Sequence, residues 1–175
     1  MENERRIDRT TSMGMDEHRL SDILLASQIK ATDIYETPPQ IIWIDNSTIA
    51  TLGNFSASTG KAKSKKTFNV SALVAASLAG KQVLNYRAHL PEGKQRILYV
   101  DTEQSRFHCR SVLERILRLA GLPTTTDPEN LDFFCLREYS PSVRVEVIDY
   151  ALRQNKGYGL VIIDGIRDLM LDINS

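Results

Sequence analysis

The run Gly60-Lys61-Ala62-Lys63-Ser64-Lys65-Lys66-Thr67 sets a glycine and four lysines just before an apolar segment. Its frame follows the phosphate-binding loop G-x-x-x-x-G-K-[ST]. In such a loop backbone N–H groups wrap the anion, the lysine reaches the β- and γ-phosphates, and the hydroxyl ligates Mg²⁺. Gly60, Lys66 and Thr67 stand in register, but Lys65 replaces the second glycine. That position favours free access to positive φ, so a side chain there implies strain. Lys61, Lys63, Lys65 and Lys66 also gather positive charge where a polyphosphate would lie, an attraction that salt weakens. The plainer alternative is a solvated basic connector.

Two further segments carry carboxylates at strand ends. In Arg96-Ile97-Leu98-Tyr99-Val100-Asp101-Thr102-Glu103, a short apolar run closes on acidic residues. It reads as a buried parallel strand whose C-terminal edge holds the acids, and that edge is where open α/β sheets bind ligands. Strand alternation would point Asp101 and Glu103 the same way, with Asp101 as a turn or supporting residue. In Tyr158-Gly159-Leu160-Val161-Ile162-Ile163-Asp164-Gly165, four apolar residues precede Asp164. This is the form of a Walker B aspartate, which holds Mg²⁺ beside a nucleoside triphosphate. Many parallel strands end in aspartate at a turn, so Asp164 alone carries little weight.

The elements that must position these groups follow from periodicity and caps. Ile41–Ile44, a turn at Asp45-Asn46 and a second run from Thr48 read as two strands. The second is expected to continue to about Ala57 and deliver the loop. Phe68 to Ala79 is apolar almost all round and ends at Gly80, as a buried helix does. Strand, loop and helix in that order aim the helix's free N–H groups and positive dipole end at an anion. Ser105 is placed to cap a helix over Arg106–Leu119, stopped by Gly121 and Pro123. Leu131–Leu136 reads as a strand, and Ser140-Pro141 opens a helix to about Gln154.

Taken in order, these motifs resemble the RecA-like branch of P-loop ATPases, especially the hexameric helicase and regulatory ATPases of bacterial plasmids and mobile elements. Ile97-Leu98-Tyr99-Val100-Asp101-Thr102-Glu103 looks like that family's second strand, and the lysine-rich loop looks like a variant in Bacteroides-type mobile elements. The resemblance runs from Trp43 to the end, and Lys81 to Gly93 resembles the family's irregular connection between the first helix and the second strand. It implies an α/β, three-layer sandwich with a mostly parallel central sheet, incomplete at the C-terminus, and a chain that is a piece of a longer protein. It implies Lys66 and Glu103 as catalytic residues, with Glu103 polarising the attacking water. Gly60, Lys61, Ala62, Lys63, Ser64, Lys65, Lys66 and Thr67 would hold ATP, and Thr67 and Asp164 would hold Mg²⁺. It further implies a homo-oligomer, hexameric in the family, and DNA-associated work in replication or mobilisation. A nucleotide- or DNA-backbone-binding module without turnover is the alternative that the basic loop allows. A small-molecule kinase fits less well, because no lid segment lies between the motifs.

Composition narrows the setting. Lysine and arginine number 22 against 22 aspartates and glutamates, so any nucleic-acid contact must be local. Cys109 and Cys135 lack metal or disulfide spacing and read as buried thiols of a reducing cytoplasm. No apolar run approaches the ~18 residues of a membrane span. Residues 1–36 read as a separate N-terminal segment, with Met1–Asp16 a mobile tail. An amphipathic helix over His18–Lys30, with Ser21 available as a cap, is expected to pack on the domain or on a neighbouring subunit. By the resemblance, residues 37–175 would form the N-terminal portion of a RecA-like ATP-binding domain. His89 and His108 lack ligand partners and read as structural or surface residues. Arg137 reads as a solvated charge, and Arg167 and Asp168 as salt-bridging residues at the same sheet edge.

Overall fold

In the computed structural model, which describes residues 16–60 and 65–170, the chain divides into two units, 1–37 and 38–175. The first holds helix α1 (Glu17–Ser27), whose N-cap is Asp16, with its carboxylate accepting from the His18 N–H. The helix thus starts ahead of Ser21 and stops at Gln28, short of Lys30. It stops there because the Lys30 N–H turns to the Asp33 carboxylate at 2.8 Å. Met1–Met15, the greater part of the expected tail, lies outside the described residues.

The second unit contains two three-stranded sheets. Strands β1 (Gln40–Ile44) and β2 (Ser47–Thr51) form an antiparallel hairpin around Asp45, and β3 (Tyr86–Ala88) pairs antiparallel on the other side of β1. Two expectations fail here. β2 does not run on to Ala57 but ends at Thr51. Gly53 takes φ +82°, and the Asn54 N–H and side chain both turn back onto Thr51. The connection read as irregular also contains β3, whose three residues are too few to show a pattern. Tyr86 and Ala88 are buried while Arg87 stacks its guanidinium over the Trp43 ring.

The second sheet is wholly parallel, in the order β5 (Leu131–Cys135), β4 (Arg96–Asp101), β6 (Tyr158–Asp164). β4 is central, and Ile97, Leu98, Tyr99 and Val100 are buried on both faces, as parallel strands between helices are. Ile97 and Tyr99 join the core under α2 (Lys66–Ala79) and α3 (Arg106–Ala120), through Ala72, Val74, Ala75, Val112 and Ile116. Leu98 and Val100 face the other way, toward Ile148 of α4 (Pro141–Gln154). Helix, sheet and helix make three layers, the α/β sandwich that the resemblance implied.

Ser105 and Ser140 are the N-cap residues of α3 and α4, with Pro141 in the first turn of α4. Neither serine bonds the helix backbone: Ser105 Oγ pairs with His108 Nδ1 at 2.9 Å, and Ser140 Oγ with Ser142 Oγ. Gly80 and Gly121 close α2 and α3 in left-handed conformation. Among the described residues, no helix is long and apolar enough to cross a membrane.

Candidate nucleotide site at the carboxyl edge of the parallel sheet

Lys65 is the N-cap of α2 and takes φ +60°, the left-handed region that the loop's second glycine ordinarily fills. The chain therefore keeps the backbone geometry of that glycine while carrying a side chain on it. The Lys65 side chain makes no cap hydrogen bond to α2, and among the described residues the first N–H groups and dipole of the helix are left for another partner. Lys61, Ala62, Lys63 and Ser64 lie outside the described residues, and Gly60 is exposed just ahead of them.

Lys66 and Thr67 form the first turn of α2, and that turn meets the end of β6. Thr67 Oγ1 donates to Asp164 Oδ2 at 3.4 Å, joining residues 97 positions apart. Tyr99 OH donates to the same oxygen at 3.2 Å. Burial pushes the Asp164 carboxyl above its ordinary range, and the neighbouring Asp101 charge adds to this. The two hydrogen bonds and the Lys66 ammonium pull the other way. Tyr99, buried beside both carboxylates, is held far above the usual phenol range.

Glu103 follows β4 on the same edge and is exposed, whereas Asp101 is fully buried. The expectation that both point one way fails because β4 ends at Asp101 and Thr102–Gln104 bend away, so alternation no longer applies. Gly165, directly after Asp164, adopts φ +99°, and a Cβ there would lie 2.7 Å from Glu103 Cγ and collide with Thr102 Oγ1. The Glu103 turn and the Asp164 turn are thus packed backbone against side chain. Lys66, Thr67, Glu103 and Asp164 come together at one sheet edge.

The donor set fits Mg²⁺. Among the described residues no group of three His, Cys, Asp or Glu side chains forms a cage. One hydroxyl and one carboxylate, both hard oxygen donors, suit an ion that keeps most of its waters and takes its other ligands from phosphates. The uncapped start of α2 fits the phosphates themselves. A cleft of about 710 Å³ lies elsewhere: Ser77, His89, Arg96, Glu129 and Asn130 line it at the opposite ends of the strands. It is about 17 Å from the carboxylates at 3.3 Å per strand residue. Chemistry, not volume, locates the site.

Three residues at this edge escaped the motif reading. Tyr99 was hidden in an apolar run, although a phenol among aliphatics is itself a signal. Thr102 Oγ1 bonds the Gly165 carbonyl at 2.8 Å and lies 3.3 Å from Asp168 Oδ2. Arg144 spreads its guanidinium over the carbonyls of Leu136, Arg137 and Asp168, at 3.0, 2.7 and 2.8 Å. Asp168 is thus held by a threonine and by this arginine at its carbonyl, and among the described residues it forms no salt bridge of the kind expected. Cys109 and Cys135, which their spacing kept apart, are neighbours: both Sγ atoms approach the Gln104 carbonyl, at 3.7 and 3.4 Å.

A helix start lying on parallel strand ends, with a lysine, a threonine and two carboxylates there, defines a P-loop nucleotide-binding α/β domain. The family model described as AAA domain matches residues 19–175, and the chain belongs to that family of P-loop ATPase type. No curated protein and no solved structure matches it.

Proposed function

We propose that this domain binds Mg²⁺-ATP over the N-terminus of α2 and hydrolyses it, as one subunit of a homo-oligomeric ring. The hexamer, the DNA-associated work in replication or mobilisation of a mobile element, and a cytoplasmic setting rest on the resemblance to plasmid-type helicase ATPases. The observation that carries the ATP reading is the Thr67–Asp164 contact at 3.4 Å, a hydroxyl and a carboxylate brought together from the two nucleotide motifs.

Each residue's part follows from its place. The first N–H groups of α2 and the Lys66 ammonium would hold the β- and γ-phosphates. Thr67 and Asp164 would hold Mg²⁺, which supplies charge neutralisation on the phosphate oxygens when bound. Glu103, exposed and next to Gly165, would accept a proton from water attacking the γ-phosphorus in line. Lys65 would add a fixed positive charge beside the loop.

Titration calorimetry with Mg²⁺-ATP on the wild type and Lys66→Ala tests the reading. Micromolar binding that the mutation removes supports it. A folded wild type that does not bind defeats it. Binding without hydrolysis would leave a nucleotide-responsive module in place of a motor.

A further inference from the structure

We propose that Asp101 is the positioning residue for Glu103, holding the turn that presents it from inside the protein. This rests on the reading of Glu103 as the base. Asp101 Oδ1 accepts the backbone N–H groups of Glu103 and Gln104 at 3.0 and 2.7 Å, and Oδ2 accepts Gln104 Nε2 at 2.8 Å. The carboxylate is 0% exposed, and three of its roughly four acceptor sites are filled from this one turn.

The rest of the turn is fastened from other sides. The Gln104 carbonyl faces the two thiols of Cys109 and Cys135. The Thr102 N–H reaches the Asp164 carbonyl at 3.0 Å, and Thr102 Oγ1 reaches that of Gly165. The Leu136 N–H binds the Asp101 carbonyl at 2.8 Å, which ties the same point to the end of β5. Thr102 is buried and Gln104 half-buried, so only Glu103 stands free of the turn. Its backbone is fixed relative to Asp164 while its side chain keeps access to solvent.

The placement is costly by itself. Asp101 is desolvated, and its charge acts on Asp164. An asparagine could accept the same two N–H groups without that charge. With Gln104 rotated, it could also keep the third bond. What an alanine cannot do is accept any of them. Asp101→Asn and Asp101→Ala therefore separate the turn anchor from the charge.

Five proteins are compared: wild type, Asp101→Ala, Asp101→Asn, Glu103→Gln and the double variant Asp101→Ala with Glu103→Gln. The measurements are Mg²⁺-ATP affinity, kcat, and amide hydrogen exchange at residues 103 and 104 without nucleotide. Asp101→Ala is expected to bind within about threefold of wild type and to lose about 100-fold in kcat, the size of a misplaced general base. It should also lose exchange protection at both amides. Asp101→Asn should keep the protection and at least about a tenth of kcat, and Asp101→Ala combined with Glu103→Gln should be no slower than Glu103→Gln alone.

Equal loss in the alanine and asparagine variants would overturn the proposal, as would unprotected amides in the wild type. So would an Asp101→Ala enzyme that retains its kcat while Glu103→Gln does not. If Glu103→Gln itself keeps full turnover, the base assignment fails instead, and exchange still decides whether Asp101 anchors the turn. Should Asp101→Ala not fold, Asp101→Ser, whose shorter side chain cannot span both amides, is judged by the same readouts.

Discussion

Gly165→Ala is the sharpest perturbation this site offers. Gly165 sits at φ +99°, and an alanine held in left-handed backbone costs about 1–2 kcal/mol. Its Cβ would also collide with Thr102 Oγ1, which is 1% exposed and bonds the Gly165 carbonyl at 2.8 Å. Driving that hydroxyl from its partner leaves a buried donor unmet, at about 1–3 kcal/mol. Alanine's smaller unfolded-state entropy returns about 0.4–1 kcal/mol. The net is about 2–4 kcal/mol, or a urea midpoint lower by about 1–2 M for an m-value near 2 kcal/mol/M. Repeating the substitution in a Thr102→Ala background removes the collision with the hydroxyl and leaves only the exposed Glu103 side chain to turn aside, so the cost should fall to about 1 kcal/mol, mainly of backbone strain. The assay is urea unfolding followed by circular dichroism for the four members of the cycle. A cost below about 0.5 kcal/mol, within the range of an ordinary surface change, would refute the reasoning. So would an equal cost in both backgrounds.

Other consequences are as direct. Lys65→Gly relieves the strain at φ +60° and removes a positive charge from a helix N-terminus, so it should stabilise the protein by about 1 kcal/mol. Lys65→Ala, which removes only the charge, should give less in the same urea titration. Asp164 is held above its ordinary 3.8 mainly by burial. The fold therefore binds more protons than the unfolded chain between 3.8 and that raised value, and stability falls as pH rises through this window. Asp164→Asn should accordingly melt higher than wild type at pH 7, with the gap closing as pH falls through the same window in a calorimetric series. Arg144→Lys, which can reach one of three carbonyls, should lower stability by about 2 kcal/mol, as hydrogen bonds to a charged group imply, and Arg144→Ala by at least as much.

Much of the parallel sheet was legible because two of its strands, β4 and β6, are short apolar runs ending on acids. Ile97–Val100 could be buried on both faces only between helices, and the resemblance carried by the order of the motifs implied the three layers. Ser105, Pro141, Gly80 and Gly121 bound helices α2 to α4 through local backbone preferences that need no partner. The end of β2 was not legible, since an apolar or polar strand stops where its pairing stops, and pairing is set by chain distant in sequence. β3 was too short to have a period. The different directions of Asp101 and Glu103 depended on where β4 ended, which a repeat of two cannot tell.

By itself the sequence determined which groups are available at this site: Lys66, Thr67, Glu103 and Asp164, each at the end of an element whose own residues define it. It also placed a lysine at residue 65, where the backbone is left-handed. Only the tertiary structure decided which of these groups meet. Thr67 reaches Asp164 because α2 packs over a parallel sheet, and Cys109 reaches Cys135 because α3 covers β5. Asp101 became an interior anchor and not a second exposed acid because its strand ends there and its turn is closed by neighbours from β5 and β6. Local sequence sets conformational preference over a few residues. Contacts across tens of residues depend on burial that only the packed layers provide.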